Sequence, residues 1–180
     1  YVPYPDYYEA TAKTLEYAYA DWCLSTFASA LGEADVASDY KSMSYNYENV
    51  FDKSNGFMRG RTRKGDWVFP FSPEEWGGAF TEGSSWHYTW SVMHDVEGLS
   101  QLMGGHENMT FMLDSMFSAP PLFKYGTYGF VIHEMAEMVA LNMGQYAHGN
   151  QPVQHAPYLY DYTLSPWKTQ YYVRKIMDKL

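Results

Sequence analysis

The sequence is poor in cysteine, in positive charge and in long apolar runs. Its one cysteine, Cys23, cannot form an internal disulfide bond, and its place in a helical pattern predicts a buried thiol. The formal net charge is −9 and there is no basic stripe, which argues against nucleic acid and against anionic membranes as partners. No stretch approaches the roughly 20 apolar residues that cross a bilayer. We therefore expect no nucleic-acid partner and no membrane association.

Aromatic side chains are what the sequence has in excess. Of its 180 residues, 46% are hydrophobic and 19% are aromatic, with 18 Tyr and 6 Trp. This composition is sufficient for a packed core in one domain or in part of a larger one. Flat rings also pack on the apolar faces of sugars, so we assign the aromatic residues to both roles, core packing and carbohydrate binding.

The spacing of apolar residues predicts an all-α chain of about seven helices in antiparallel succession. The helical patterns cover approximately residues 10–31, 34–50, 84–102, 106–117, 131–142, 154–164 and 165–180. No stretch shows the alternation of apolar and polar residues that would predict a β-strand. The stretch 51–83 is rich in Gly, Pro and aromatic residues, which predicts a long ordered loop packed over the helical body.

One carboxylate stands at the start of a predicted helix, in the stretch Phe80–Trp90. Gly83 permits a sharp turn directly after Glu82. Ser84 or Ser85 can cap the helix by accepting hydrogen bonds from its free backbone N–H groups. Taken alone, this pattern more often belongs to a solvated acidic residue that stabilises a helix start.

Indole rings follow this carboxylate closely. Trp86 and Trp90 are four residues apart, so a continuous helix would place them on one face. Rings that enclose Glu82 would desolvate it, and desolvation disfavours the charged form of a carboxyl group. If the rings enclose Glu82, the carboxylic acid keeps its proton near neutral pH and can act as a general acid.

A second polar cluster occupies residues 148–155. Its amide side chains, Asn150, Gln151 and Gln154, supply the oxygen ligands that calcium prefers, and sugar hydroxyls can complete such a shell. The spacing alone favours the alternative, a helix-linking turn whose amides bond the backbone.

A third pattern has the spacing of a zinc site. His133–Glu137 differs by one residue from the His-Glu-x-x-His motif of zinc peptidases. Glu137 replaces the second His and removes half of the helical ligand pair, so we disfavour a zinc peptidase. Glu134 and Glu137 are instead expected to orient neighbouring loops.

Several blocks, taken in order, resemble glycoside hydrolase family 92. One of them is the Thr-Glu-Gly-x-x-Trp-x-Tyr-Thr-Trp segment at 81–90. The other blocks, in chain order, are Thr14–Trp22, Gly56–Arg61, His94–Leu99, Gly144–Pro152 and Ser165–Gln170. The blocks follow the family's order and span nearly the whole chain.

The resemblance implies a calcium-dependent, inverting exo-α-mannosidase that removes terminal mannose from glycans, including N-glycans. It implies a general acid at Glu82. It assigns substrate binding to Trp86, His87, His148, Asn150 and His155, and calcium binding to Asn150, Gln151 and Gln154. Many members have Glu where this chain has Gln151 and His where it has Gln154, and loss of an anionic ligand would weaken calcium binding.

The resemblance also implies a partial domain. Residues 1–180 are expected to form one segment of an (α/α)6 toroid, without the family's N-terminal β-sandwich and C-terminal helices. The family's catalytic base lies in a later Gly-Gly-Asn-Asp-like segment that has no counterpart here. We assign no base, since Asp95, Glu97 and Asp161 are poor candidates.

We therefore expect the isolated chain to be inactive and the remainder of a longer chain to be required. We also expect a secreted or extracellular protein. The alternative from another class is a non-catalytic, carbohydrate-binding helical module, which would keep the aromatic residues and the polar cluster but would not turn over substrate.

Overall fold

The computed structural model describes all 180 residues, Tyr1–Leu180, and helices dominate it. The all-α class predicted from the sequence is therefore confirmed. The seven α-helices are α1 (Ala10–Ala30), α2 (Ala34–Met43), α3 (Ser85–Tyr88), α4 (Val96–Leu102), α5 (His106–Ser118), α6 (His133–Leu141) and α7 (Trp167–Met177). Four 3₁₀ helices lie between them, at Asn46–Val50, Gly126–Tyr128, Gln151–Val153 and Ala156–Tyr162. None of the helices combines the length and the apolar character needed to cross a bilayer.

Helices α1 and α2 form a hairpin whose far end is exposed. Gly32 turns the chain with φ of 80°, a conformation that favours glycine. Leu15 is buried in the first half of α1, but Phe27 in the second half is 63% exposed. The predicted burial of Cys23 is wrong: its thiol is exposed. Periodicity identified the helix, and α2 packs along this part of α1.

The second predicted helix, 34–50, is interrupted. Helix α2 ends at Met43, and the 3₁₀ helix Asn46–Val50 follows it. The interruption turns Tyr47 into the core, where its hydroxyl donates a 2.7 Å hydrogen bond to Asp95. A continuous α-helix would not keep this tertiary contact, and none of the residues of α2 is buried.

The stretch 51–83 is ordered and contains a small hairpin that the sequence pattern did not reveal. Strands β1 (Phe51–Asp52) and β2 (Phe57–Met58) pair antiparallel, with Phe51 opposite Met58. Arg59 is buried and its Nη1 lies 2.8 Å from the Asp52 carboxylate. Its guanidinium group also lies over the rings of Phe69 and Phe71. These contacts hold the loop together internally, and hydrogen bonds from the Thr11 and Ala12 N–H groups to the Ala79 carbonyl attach it to α1.

The predicted helix over 84–102 is broken into two. Helix α3 spans only four residues, and α4 begins at Val96. Asp95 is the N-cap of α4, where its Oδ1 accepts a 3.0 Å hydrogen bond from Gly98 N–H. The break at 89–95 buries Trp90, so tertiary packing overrides the helical pattern here.

The C-terminal third packs aromatic rings against α5. Rings of Phe117 on α5 and Tyr172 on α7 stack with centroids 4.0 Å apart, and Tyr160 stacks on Tyr172 at 5.4 Å. The helix predicted over 154–164 is the 3₁₀ helix Ala156–Tyr162. The core that results is one cluster of 30 buried apolar residues, which draws on every α-helix except α2.

Candidate active site

A cleft of about 340 Å³ lies between the loop that carries Glu82 and the turn that carries Asn150. Two carboxylates, Glu16 and Glu82, border it, and the other lining groups are mostly neutral and polar. Its complete lining is Glu16, Thr81, Glu82, Tyr88, Ser91, Met93, Asn150, Gln151, Pro152 and His155. The fold thus joins the two polar clusters that the sequence analysis singled out.

Glu82 lies at an exposed position of the cleft edge, with a left-handed backbone of φ 46°. This conformation costs a non-glycine residue about 1–2 kcal/mol, so neighbouring contacts must hold it. Indole rings do not enclose Glu82 as the sequence pattern suggested. Trp86 packs edge-on against Phe57, with ring centroids 4.7 Å apart, and Trp90 is in the core.

Hydrogen bonds at the start of α3 explain why Ser84 and His87, which follow Glu82, are buried. Ser84 is the N-cap and forms a capping box with His87. His87 Nδ1 accepts a 3.0 Å hydrogen bond from Ser84 N–H, and Nε2 donates a 2.9 Å bond to the Gln145 carbonyl. Both ring nitrogens are therefore used within the fold. Burial lowers the pKa of His87 to about 4, so this imidazole is neutral at physiological pH.

Asn150 provides an unused polar group beside the cleft. The residue is only 1% exposed, and its Nδ2 is buried without a hydrogen-bond partner. Buried polar atoms are nearly always paired, which makes this amide available for a ligand. Since an amide can rotate to exchange its oxygen and nitrogen, Asn150 can present either atom. Gln151 is exposed at the start of the 3₁₀ helix that follows.

His155 borders the same cleft, and one of its ring nitrogens is bonded to the protein backbone. Its Nε2 donates a 2.6 Å hydrogen bond to the Trp90 carbonyl. Burial lowers the pKa of His155, so the ring is neutral near pH 7. A neutral imidazole that donates from Nε2 leaves Nδ1 as a hydrogen-bond acceptor.

The structure does not bring all of the sequence-predicted site residues together. His148 pairs its Nδ1 with the Tyr146 hydroxyl at 2.7 Å, and Gln154 Nε2 donates to the His148 carbonyl at 3.0 Å. The residues that line the cleft are Glu82, Asn150, Gln151 and His155, and those outside its lining are Trp86, His87, His148 and Gln154.

The carboxylates considered as possible bases have structural partners or lie elsewhere. Asp95 caps α4 and accepts from Tyr47, as described above. Glu97 lies 3.5 Å from His106, and Asp161 is exposed on the 3₁₀ helix Ala156–Tyr162. None of the three lines the cleft.

The zinc-like pattern at the start of α6 forms a local ion cluster. His133 lies 3.1 Å from both Glu134 and Glu137, and these hydrogen bonds and charges raise its pKa. Glu137 also packs directly against Gly149, where a Cβ atom would meet its carboxylate. No three His, Cys, Asp or Glu side chains in the chain are grouped to hold a metal ion. Glu137 thus lies against the 149 turn.

Sequence reasoning missed several residues at the site. Glu16 lines the cleft from α1, and Tyr88 lines it from α3. Tyr128 contacts the Glu82 loop, because its hydroxyl accepts a 2.8 Å hydrogen bond from Glu82 N–H. Tyr88 lies within the motif around Glu82 and could have been named. Glu16 likewise lies within the Thr14–Trp22 block, whereas Tyr128 carries no local signal, because only the tertiary fold brings it near Glu82.

A loop-borne carboxylate facing amide oxygens across a cleft, on a helical scaffold, is consistent with a glycoside hydrolase domain. The model of the glycosyl hydrolase family 92 catalytic domain matches residues 1–180, and the chain therefore belongs to this family. No curated protein sequence gives a significant match.

Solved structures give the same result. The chain is 67% identical to the family GH92 inverting mannosidase BT2199 from Bacteroides thetaiotaomicron, with a TM-score of 0.85 over 100% of this chain. It is 36% identical to the GH92 α-mannosidase BT3965 of the same organism, solved with mannoimidazole, with a TM-score of 0.85 over 99% of this chain. The chain spans 24% and 23% of the lengths of those two proteins.

Proposed function

We propose that residues 1–180 supply the general acid and part of the calcium and mannose site of an inverting exo-α-mannosidase. The observation that carries the proposal is the shared cleft, in which Glu82 and the 150–155 turn converge from distant parts of the sequence. Family membership and the two GH92 mannosidase neighbours support the reaction class. The proposed substrates are the terminal α-mannosides of glycans, and the proposed location is extracellular.

In an inverting reaction, water attacks the anomeric carbon from the face opposite the leaving group. The glycosidic bond breaks, and the leaving oxygen takes a proton from the general acid while a base takes a proton from the water. We assign the acid to Glu82. We propose that the base lies outside these 180 residues, as the family resemblance implies.

Calcium fits the proposed site only if oxygen atoms from other groups, such as sugar hydroxyls, complete its ligand shell. It takes roughly six to eight oxygen ligands. The unpaired Asn150 amide can supply one oxygen, and Gln151 can supply another. Bound there, the ion would polarise and orient sugar hydroxyls. Gln154 is a weaker candidate than its sequence position suggested, because it lies outside the cleft lining and its Nε2 donates to the His148 carbonyl.

Glu82→Gln in the full-length polypeptide tests the acid. Assistance by a general acid contributes roughly 10²–10⁴-fold, and an activated aryl leaving group needs little of it. We expect Glu82→Gln to slow hydrolysis of a mannose disaccharide about a hundredfold more than that of a dinitrophenyl mannoside. Glu16→Gln removes the other cleft carboxylate and should change both substrates by the same factor. Equal slowing of both substrates by Glu82→Gln would refute the acid assignment.

Calcium titration tests the metal assignment. Asn150→Ala should raise the calcium dissociation constant, measured by calorimetry, by roughly tenfold or more. Gln154→Ala is the matched control, because this amide lies outside the cleft lining. Unchanged calcium affinity in Asn150→Ala would remove Asn150 from the ligand set. Carbohydrate binding without turnover by the full-length wild-type polypeptide would support the non-catalytic module instead.

A further inference from the structure

The peptide bond that precedes Glu82 is held from both ends by tyrosine hydroxyl groups. Its carbonyl, on Thr81, accepts a 2.6 Å hydrogen bond from the Tyr88 hydroxyl. Its N–H, on Glu82, donates a 2.8 Å hydrogen bond to the Tyr128 hydroxyl. These two bonds fix the orientation of one peptide plane, and that plane determines the direction in which the Glu82 side chain leaves the backbone.

This restraint acts where the backbone is strained. Glu82 has φ of 46°, a region that a glutamate rarely adopts without support. Strained backbone persists only when surrounding contacts over-determine it, and such positions cluster at functional sites. A loop free of these two bonds would relax toward more common dihedral angles and would displace the carboxyl group.

Tyr88 is itself rigidly placed. It is 4% exposed, its ring stacks on Phe80 with centroids 5.3 Å apart, and it belongs to α3. A Cβ atom at Gly83 would lie only 3.0 Å from this ring, so the glycine permits the close approach. Burial raises the pKa of Tyr88, which keeps the hydroxyl protonated and able to donate.

Tyr128 is fixed by a separate segment, the 3₁₀ helix Gly126–Tyr128. The neighbouring Thr127 Oγ1 accepts a 2.8 Å hydrogen bond from Gly78 N–H and a 2.6 Å bond from the Tyr8 hydroxyl. The ring of Tyr128 lies against Gly77, where a Cβ atom would be 3.0 Å from it. The two tyrosines therefore reach one peptide from two independently anchored elements.

We propose that Tyr88 and Tyr128 are positioning residues for the general acid, which together hold the Thr81–Glu82 peptide so that the Glu82 carboxyl faces the leaving-group oxygen. The proposal rests on the assignment of Glu82 as the acid. Neither tyrosine transfers a proton to the substrate, since both act through the position of Glu82. A misplaced acid would lose its assistance to a poor leaving group but would leave binding of mannose nearly intact.

The test uses Tyr88→Phe and Tyr128→Phe in the full-length polypeptide, because each substitution removes one hydroxyl and keeps the ring. We expect each variant to lower kcat for a mannose disaccharide by about tenfold, since small displacements of a catalytic group are costly. We expect less than about twofold loss with a dinitrophenyl mannoside, which needs little acid assistance. KM should stay within about twofold for both substrates.

Tyr125→Phe is the matched control. It lies in the same segment as Tyr128, and its exposed hydroxyl makes no hydrogen bond within the chain. This variant should behave as wild type with both substrates. Adding Tyr128→Phe to Glu82→Gln should cause no further loss of kcat, because the tyrosine acts only through the acid.

A second measurement does not depend on activity. Hydrogen exchange at the Glu82 amide should be faster in Tyr128→Phe than in wild type, because the acceptor of that N–H is gone. Unchanged exchange, or equal slowing of both substrates by Tyr128→Phe, would overturn the positioning role. If Glu82→Gln itself failed to distinguish the two leaving groups, the acid assignment would fall instead, whatever the tyrosine variants did.

Discussion

The α1–α2 hairpin and the segment from Phe51 to Asp95 are organised in opposite ways. The hairpin contains the longest helix of the chain, with 21 residues, yet no residue of α2 is buried. The second segment has only two-residue strands and the four-residue α3, yet it buries Trp76 and Trp90 almost completely. Regular secondary structure and core formation are thus separate properties in this protein.

The reason lies in where the backbone hydrogen bonds go. A helix satisfies its N–H and C=O groups internally, so it can stand at the edge of a fold. An irregular segment must find partners elsewhere when it is buried. Met58 is an example: its N–H donates to Thr89 Oγ1 at 3.0 Å, and its carbonyl accepts from Ser85 Oγ at 2.9 Å. Such non-repeating bonds define the irregular segment that carries Glu82.

The largest expected difference between the two regions comes from aromatic truncation. Trp76→Ala in the irregular segment removes a side chain that is 0% exposed and should destabilise the protein by about 3–5 kcal/mol. Phe27→Ala in the hairpin removes a ring that is 63% exposed and should change stability by less than about 0.5 kcal/mol. Chemical denaturation of both variants measures the contrast. A comparable loss from Phe27→Ala would show that further polypeptide packs on the hairpin.

A second contrast compares two ion pairs. Asp52→Ala leaves the buried Arg59 without its carboxylate, which should cost about 3 kcal/mol in the free energy of unfolding. Asp6→Ala breaks the exposed pair with Arg63, and surface pairs contribute only about 0–1 kcal/mol. Urea unfolding of the two variants would compare them directly. Equal effects would contradict the view that the Asp52–Arg59 pair anchors the irregular segment.

The third contrast concerns pH. The hairpin contains no histidine, whereas the irregular segment buries His87, whose pKa burial lowers from 6.5 to about 4. As the pH falls below about 6.5, the unfolded state binds this proton first, so stability present at neutral pH is lost toward pH 4. The loss at pH 4.5 should be about 2–3 kcal/mol from this one group.

The measurement is the urea midpoint at pH 7 and pH 4.5 in wild type and His87→Gln. The variant has no titrating ring, so its midpoint should depend less on pH. His106→Gln serves as the control, because this imidazole is partly exposed. Parallel pH profiles for wild type and His87→Gln would mean that burial of His87 does not govern acid stability.

Prediction from sequence succeeded where local interactions decide the structure. The bounds predicted for α1 and α5 agree with the observed helices to within about one residue, because apolar periodicity defines both helices, Gly32 follows α1 and Pro120 follows α5. Prediction from sequence failed at 84–102, where the pattern suggested one helix and the structure has two, α3 and α4. Burial of Trp90 and capping by Asp95 interrupt that helix, and neither can be seen in a local window.

The same division applies to the candidate site. Motifs that occur in the family's order identified the family, the loop-borne Glu82 and the polar turn at Asn150. The spacing of apolar residues identified the helical class. Short segments of sequence carry all of these signals. Only the tertiary structure decided that Asn150 shares a cleft with Glu82 while Gln154 bonds its own turn. It also decided that Tyr128 holds the Glu82 amide. Residues far apart in sequence become neighbours only through packing, and no local pattern encodes that proximity.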